Sequence, residues 1–492
     1  MHFAKILSMA ALPLFLFACG DGNPIITPPS SPDTPPEPPK DSIPENIPDS
    51  LLKPITRDYS KIWTKGDGSA QNPYQISNEQ ELRSLAFYVN DSSMNFNGTY
   101  FKQTADIALK SEWTPIGIFG ANAYGFGNRP FSGTYDGDSK TISGMKINDT
   151  ASYSGLFGLA RSAHITNVVL TNVNMDVGSY AGVLAGKVDS TTIENCIIAE
   201  IVLNGTDRVG GLVGEANYMT VANVSVEGIV TGENSVGGVV GRMQDGSIQN
   251  VTNKATVSGK STVGGVVGGA ASVSSESIFA SALNYGAVSG SKDVGGVVAT
   301  LSSTKLEKSG NYGVVTASES QIGNVGGVVA VASNKSVVNE VFNTGKVTAT
   351  KMLAAGGVFG SLKNAEVTNV FNVGEVAGMA TSLGGIAGII DGNSKLESSF
   401  NAGVIPNVNY AGTVAGSGKS TIILTNVYYD NVVGDGCKVF GGDAPFGIEL
   451  PAGFATADIK AATFVATLNG TGNVWSIDPA KFDGYPSFSW AK

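Results

Sequence analysis

Along most of the chain the apolar residues come in short bursts set off by small ones, and the bursts are evenly spaced. One burst reads Ser154-Gly155-Leu156-Phe157-Gly158 and returns as Ala181-Gly182-Val183-Leu184-Ala185, Gly210-Gly211-Leu212-Val213-Gly214 and Gly237-Gly238-Val239-Val240-Gly241. Six more copies follow, the last being Gly412-Thr413-Val414-Ala415-Gly416. The second residues stand at 155, 182, 211, 238, 265, 296, 327, 357, 385 and 413, in steps of 27 to 31. Two further patterns run in phase. One is Asn-x-Gly, as in Asn284-Tyr285-Gly286 and Asn343-Thr344-Gly345; the other is an apolar pair around an asparagine, as in Ile248-Gln249-Asn250-Val251. Each period therefore offers three short valine-rich strands separated by Gly, Asn and Ser turn residues, with no room for an amphipathic helix.

A regular period of this length marks a stacked array, and it decides the architecture before any single strand does. The pattern predicts an all-β fold, a single-stranded parallel β-helix (solenoid) of about ten three-strand coils with small capping elements at both ends. Alternate side chains point inward, so Val, Ile and Phe of successive coils stack into a continuous apolar column. The paired glycines take the chain round a corner or close past its neighbour, where a Cβ would obstruct. Asparagine suits such corners because it tolerates left-handed backbone, and stacked copies form an amide ladder.

The flanks break the period. Ser77-Asn78-Glu79-Gln80 is a capping box that opens a helix through about Val89, with Leu82, Leu85 and Val89 on one face. Residues 456–468 carry Ile459, Phe464 and Leu468 among alanines. An open solenoid end exposes strand edges and core, and both segments are expected to cover such ends. The expected organisation is an N-terminal capping region over 57–150, the repeat solenoid over 151–430 and a C-terminal cap over 431–492.

Before residue 57 the pattern is different. Lys5 precedes an apolar run from Ile6 to Ala18 that is too short to span a bilayer, as in a secretory signal. The run ends in Leu16-Phe17-Ala18-Cys19-Gly20, which resembles the bacterial lipobox; Phe17 is larger than the residue usual at its place. The resemblance implies a signal peptide over 1–18 and lipidation of Cys19. Residues 19–56 hold most of the prolines and almost no aromatics, the composition of an extended tether that cannot bury a core.

The repeats themselves resemble the GLUG motif of bacterial surface and adhesin-like proteins, on the Gly, large apolar, Gly pattern given above. The flanks fit the same resemblance through Gly66-Asp67-Gly68, Trp113-Thr114-Pro115-Ile116-Gly117, Phe131-Ser132-Gly133-Thr134-Tyr135-Asp136-Gly137 and Gly484-Tyr485-Pro486. It implies a non-catalytic adhesion, binding or spacing element on a membrane-anchored lipoprotein, most simply on the outer membrane facing the cell surface.

Composition narrows the chemistry further. A charged fraction of 15% with a net charge of −10 suits neither nucleic acid nor an anionic bilayer surface. Cys196 and Cys437 would lie many coils apart and are expected to be buried thiols rather than a disulfide. Enzymes of β-helix fold, polysaccharide lyases and hydrolases, are the main alternative. The mature chain has one histidine, His164, read as a surface or turn residue, with no Asp-Asp pair and no arginine beyond Arg242. No catalytic, cofactor-binding or metal-ligating residue is assigned, and no cofactor is expected. Asp136-Gly137-Asp138, Asp391-Gly392-Asn393 and Asp435-Gly436 offer oxygen ligands to calcium, but Asp-Gly is first a turn signal.

Glycans or surface proteins remain as partners. Tyr285, Tyr312, Phe342, Phe371, Phe400, Tyr428 and Tyr429 recur at one place in successive coils. Outward, they form a platform of rings for a ligand; inward, an aromatic stack in the core, which average burial favours. A purely structural stalk is the remaining alternative.

Overall fold

The computed structural model describes residues 62–492 apart from 121–126, 274–276, 319–321, 420, 435, 443, 446 and 492. The signal peptide, the tether, Cys19 and Asp435 thus lie outside the described residues. Residues 58–492 form one compact unit.

The chain is a parallel β-solenoid of about 13 turns, more than the ten glycine motifs indicate. The additional turns come from the flanks. At the N-terminal side Tyr74–Ile76 pairs with Tyr100–Gln103, and Tyr100–Gln103 with Thr134–Asp136, all parallel. At the other side Lys438–Phe440 and Ala452–Phe454 each add a strand to the last repeat. These strands lack the glycine motif, so periodicity alone does not reveal them.

Coil-to-coil register makes one column of each repeat position. Val213, Val240, Val267, Val298, Val329 and Phe359 lie opposite one another in turn, all buried. The glycine column runs Gly155, Gly182, Gly210, Gly237, Gly264, Gly295 and onward, although Gly155 is placed by its neighbour Ser154 opposite Ala181. Gly182 therefore faces the first glycine of the following pair, not the second, and the sequence motif slips by one residue there. The pairs sit at bends and are needed for close approach, not for unusual φ. A Cβ on Gly296 would stand 2.0 Å from the carbonyl oxygen of Gly327, and one on Gly264 would stand 1.9 Å from that of Val267. The left-handed corners are instead taken by non-glycine residues such as Asn223, Asn250, Asn369 and Asn426, with φ between 53° and 56°.

The amide ladder is present and is buried. Asn253, Asn284, Asn311, Asn343 and Asn372 each pass a side-chain N–H to the carbonyl oxygen of the next amide, at 2.7–2.9 Å, and Asn401 ends the ladder as an acceptor. The same Nδ2 groups also donate to the backbone carbonyl two residues on, as Asn343 does to Gly345 at 2.8 Å. The coils from Asn253 to Asn401 thus satisfy a buried polar group through a neighbour, which ties this part of the stack together where apolar packing alone would leave register free.

The N-terminal end is closed as expected. The helix Glu79–Asn90 buries Leu82, Leu85 and Val89 in the solenoid core. Its cap is Asn78, which accepts from the Glu81 backbone N–H at 3.0 Å, while the Glu81 carboxylate accepts from the Ser77 N–H at 2.7 Å. The box thus lies one residue later than Ser77 to Gln80. Trp63 is fully buried beside it, within 5.1–6.0 Å of the rings of Tyr74, Tyr88, Phe96 and Phe101.

The C-terminal helices Thr456–Ile459 and Ala462–Asn469 do not cap the other end. With the strand pair Trp475–Ser476 and Ser487–Phe488 they pack along the outside of the last repeats, making a second apolar cluster apart from the main core.

Candidate ligand-binding face

Phe342, Phe371 and Phe400 each stand between an inward valine or serine and a ladder asparagine, and so point out of the solenoid. Their rings stack in file, Phe342 to Phe371 at 5.3 Å and Phe371 to Phe400 at 5.5 Å between centroids, close to the separation of neighbouring strands. Left bare, this ribbon would be a large apolar patch. The C-terminal segment lies on it as a strap: Phe464, Trp475, Phe482, Phe488 and Trp490 all meet it within 6 Å. The phenylalanines are accordingly fully buried, but in an outer cluster. Both expectations for these rings needed correction, since they are neither core nor an open platform.

The grip on the strap is polar at its edge. Glu340 and Asn369 occupy equivalent left-handed corners of adjacent coils. Trp490 donates its indole N–H to Glu340 Oε2 at 2.8 Å, and Trp475 donates to Asn369 Oδ1 at 3.0 Å. At the far end Asp430, buried, accepts from the backbone of Val432 and Val433, from Thr456 Oγ1 and from Tyr485 Oη. Burial, then the Asp430 charge beside it, pushes the Tyr485 hydroxyl up to about 12.

Beyond Trp490 the face is open. Tyr285 and Tyr312 follow their ladder asparagines instead of preceding them, so they form a separate column beside the phenylalanines. Their rings stack at 4.6 Å and 3°, and Tyr312 meets Phe342 edge-on at 5.1 Å. Tyr285 is 43% exposed. A groove of about 380 Å³ runs past both rings, bounded by Trp490 on one side and by Asn250, Lys254 and Lys308 on the others. Tyr428 continues the phenylalanine column, and Tyr429 occupies the ladder position opposite Asn401. The offset of each aromatic from its asparagine was the sequence signal that separates these columns.

A second outer stack lies near the N-terminal end and went unnoticed in the sequence. Phe119, Tyr153 and Tyr180 stack at 4.4 and 4.3 Å, and the Arg208 guanidinium lies 4.5 Å over the last ring. Arg208 also donates to the Tyr180 hydroxyl. Glu215, mostly buried, pairs with Arg208 at 2.9 Å and Lys187 at 2.7 Å. The recurring phase of Tyr153, Tyr180 and Arg208 before the glycine motif was the available signal. Burial raises the Tyr153 hydroxyl above its usual range.

The other singled-out residues are dispersed. The His164 side chain is half exposed, 3.5 Å from Glu194. Asp136 accepts from the Asp138 N–H and from Asn167, and Asp138 pairs with Lys102. Asp391 accepts from the Gly392 N–H, as a turn residue does. Cys196 is a buried thiol, raised to about 12 by that burial, whereas Cys437 is only half-buried, its Sγ 3.8 Å from the carbonyl oxygen of Ile405. Among the described residues no three of His, Cys, Asp and Glu converge as metal ligands would, and no helix is long and apolar enough to cross a membrane.

Comparison with known proteins supplies one decisive match, the GLUG motif model, over residues 232–258. The chain carries the GLUG motif. The matched span is one coil of the array, and register extends the same GLUG geometry to its neighbours. The chain is also 31% identical to halomucin of Haloquadratum walsbyi (strain DSM 16790 / HBSQ001) over 163 residues, 31% of this chain and 2% of halomucin. The chain thus spans a small fraction of the curated relative it matches. A solved structure of a proposed immunoglobulin A1 protease from Bacteroides ovatus aligns over 88% of this chain and 96% of its own, at 16% identity and a TM-score of 0.38.

Proposed function

We propose that this GLUG β-helix is the non-catalytic binding element of a lipoprotein, anchored through Cys19 and carried on the outer membrane facing the cell surface. The observation that carries the binding role is the outer aromatic face. The strap covers Phe342, Phe371 and Phe400 yet leaves Tyr285 and its groove open. A rod that only spaced two objects would gain nothing from half-covered rings, whereas an exposed tyrosine beside polar groups suits a ligand with both apolar and hydroxyl-bearing surfaces. The lipobox and the proline-rich segment support the anchored placement.

Protease shaving of intact cells, followed by detection of the 57–492 region, tests the placement. Release from the cells is the expected outcome, and the Cys19→Ala variant should leave the membrane fraction. Complete protection of an intact protein would overturn surface display and leave a periplasmic role.

A further inference from the structure

The corner that holds the strap continues into the groove. Register places Lys308 opposite Glu340, one position before the paired Ser309 and Val341, and places Ser281 and Asn250 at the same corner in the two preceding coils. Glu340 and Asn369 are used by the strap's tryptophans; the equivalent Lys308 and Asn250 line open space. The tyrosine stack also stops here. The position before Tyr285 in its column is Lys254, so one face of the Tyr285 ring looks along the solenoid axis at no other ring. Lys254 and Lys308 are both exposed, and neither is ion-paired among the described residues, in a chain whose net charge is −10.

We infer that the groove bounded by Tyr285, Lys254, Lys308 and Trp490 binds an acidic oligosaccharide, with a sugar ring stacked on the open face of Tyr285 and its carboxylate held by the lysines. This inference rests on the binding role proposed above and names its ligand class. The C–H face of a pyranose is apolar and flat enough to extend a ring stack, and its hydroxyls match the hydroxyl of Ser281 and the carbonyl oxygen of Asn250, whose Nδ2 donates to Asn223. Two ammonium groups on flexible stems neutralise a carboxylate without fixing its geometry, as a repeating acidic chain requires. A peptide fits less well. The strands along this face are already bonded coil to coil, so an extended backbone would find no sheet edge to join.

Isothermal titration calorimetry of the full-length chain tests this with tetragalacturonate as the acidic probe and cellotetraose as the neutral one. Tetragalacturonate should bind, more weakly as salt is raised, and cellotetraose should bind at least tenfold more weakly. Tyr285→Ala should weaken tetragalacturonate about tenfold, and so should the Lys254→Gln, Lys308→Gln pair, with the unfolding midpoint unchanged because these side chains are exposed. Equal binding of both probes, binding indifferent to these substitutions, or heat only with an aromatic-rich peptide would overturn the inference. So would no binding by a folded chain; cell shaving reports separately on surface display.

Discussion

At the scale of the residue, the ladder asparagines carry more than their size suggests. Replacing Asn343 by Ala removes its own bonds and takes one of two partners each from the buried amide nitrogen of Asn311, which keeps Gly313, and the carbonyl of Asn372, which keeps Gly374, so one Asn311 N–H is left unmet. An unmet buried polar group costs about 1–3 kcal/mol, so Asn343→Ala should cost about 3 kcal/mol in denaturant unfolding. Gly296→Ala should be at least as damaging, because its Cβ would meet backbone and the Asn311 amide together, with nothing flexible to move aside. Cys196, buried with its thiol raised to about 12, should resist alkylation at pH 8 until the chain is unfolded, as mass spectrometry of the labelled protein would show. The ladder and the glycine contacts could be read from sequence because each repeats in phase. The facing of the aromatics could not be read the same way. Phe371 and Val370 are adjacent and both fully buried, and only the second cover supplied by a distant segment explains how both can be.

At the scale of the element, the strap is the part that sequence reasoning misplaced. Ile459, Phe464 and Leu468 announced an apolar face correctly, but a helix of eight residues says nothing about which surface it seeks. The unpaired phenylalanine ribbon decided that. Its attachment should be sensitive to alkali. The Tyr485 hydroxyl is raised from an ordinary value of 10.0 to about 12, so the folded state holds the proton more tightly than the unfolded chain does. That contribution is complete below pH 10 and disappears as pH rises through about 12. Tryptophan fluorescence should therefore report strap loosening across this window, and Tyr485→Phe should remove the hydroxyl's share of the dependence. The N-terminal helix behaves as expected for a capped end. Asn78→Ala should lower stability by about 1 kcal/mol in the same unfolding assay.

At the scale of the whole solenoid, stability is a sum over coils and the contacts between them. Gly237 and Gly264 are register equivalents, so deletion of residues 237–263 joins two coils without shifting any column. The shortened chain should fold, with circular dichroism unchanged in shape and the unfolding midpoint lowered by only a few degrees. Deleting only residues 237–249 should disrupt cooperative unfolding, since a 13-residue shift puts the corners and inward positions of the coil at the junction out of phase with its neighbours. The coil architecture was legible because ten motif copies state one geometry repeatedly. The N-terminal turns were not, because their strands use Tyr135 and Phe101 in place of valines and have no glycine pair to announce them.

The plug at the N-terminal end also bears on how the molecule answers force. Coils joined edge to edge by hydrogen bonds yield to a pull at one end as a zipper does, opening one turn at a time at low load. Tension arriving along the chain from before residue 62 reaches Trp63 first, and Trp63 is wedged among four aromatic rings beneath the helix Glu79–Asn90. The first turn would therefore resist such a pull before any coil beyond it opened.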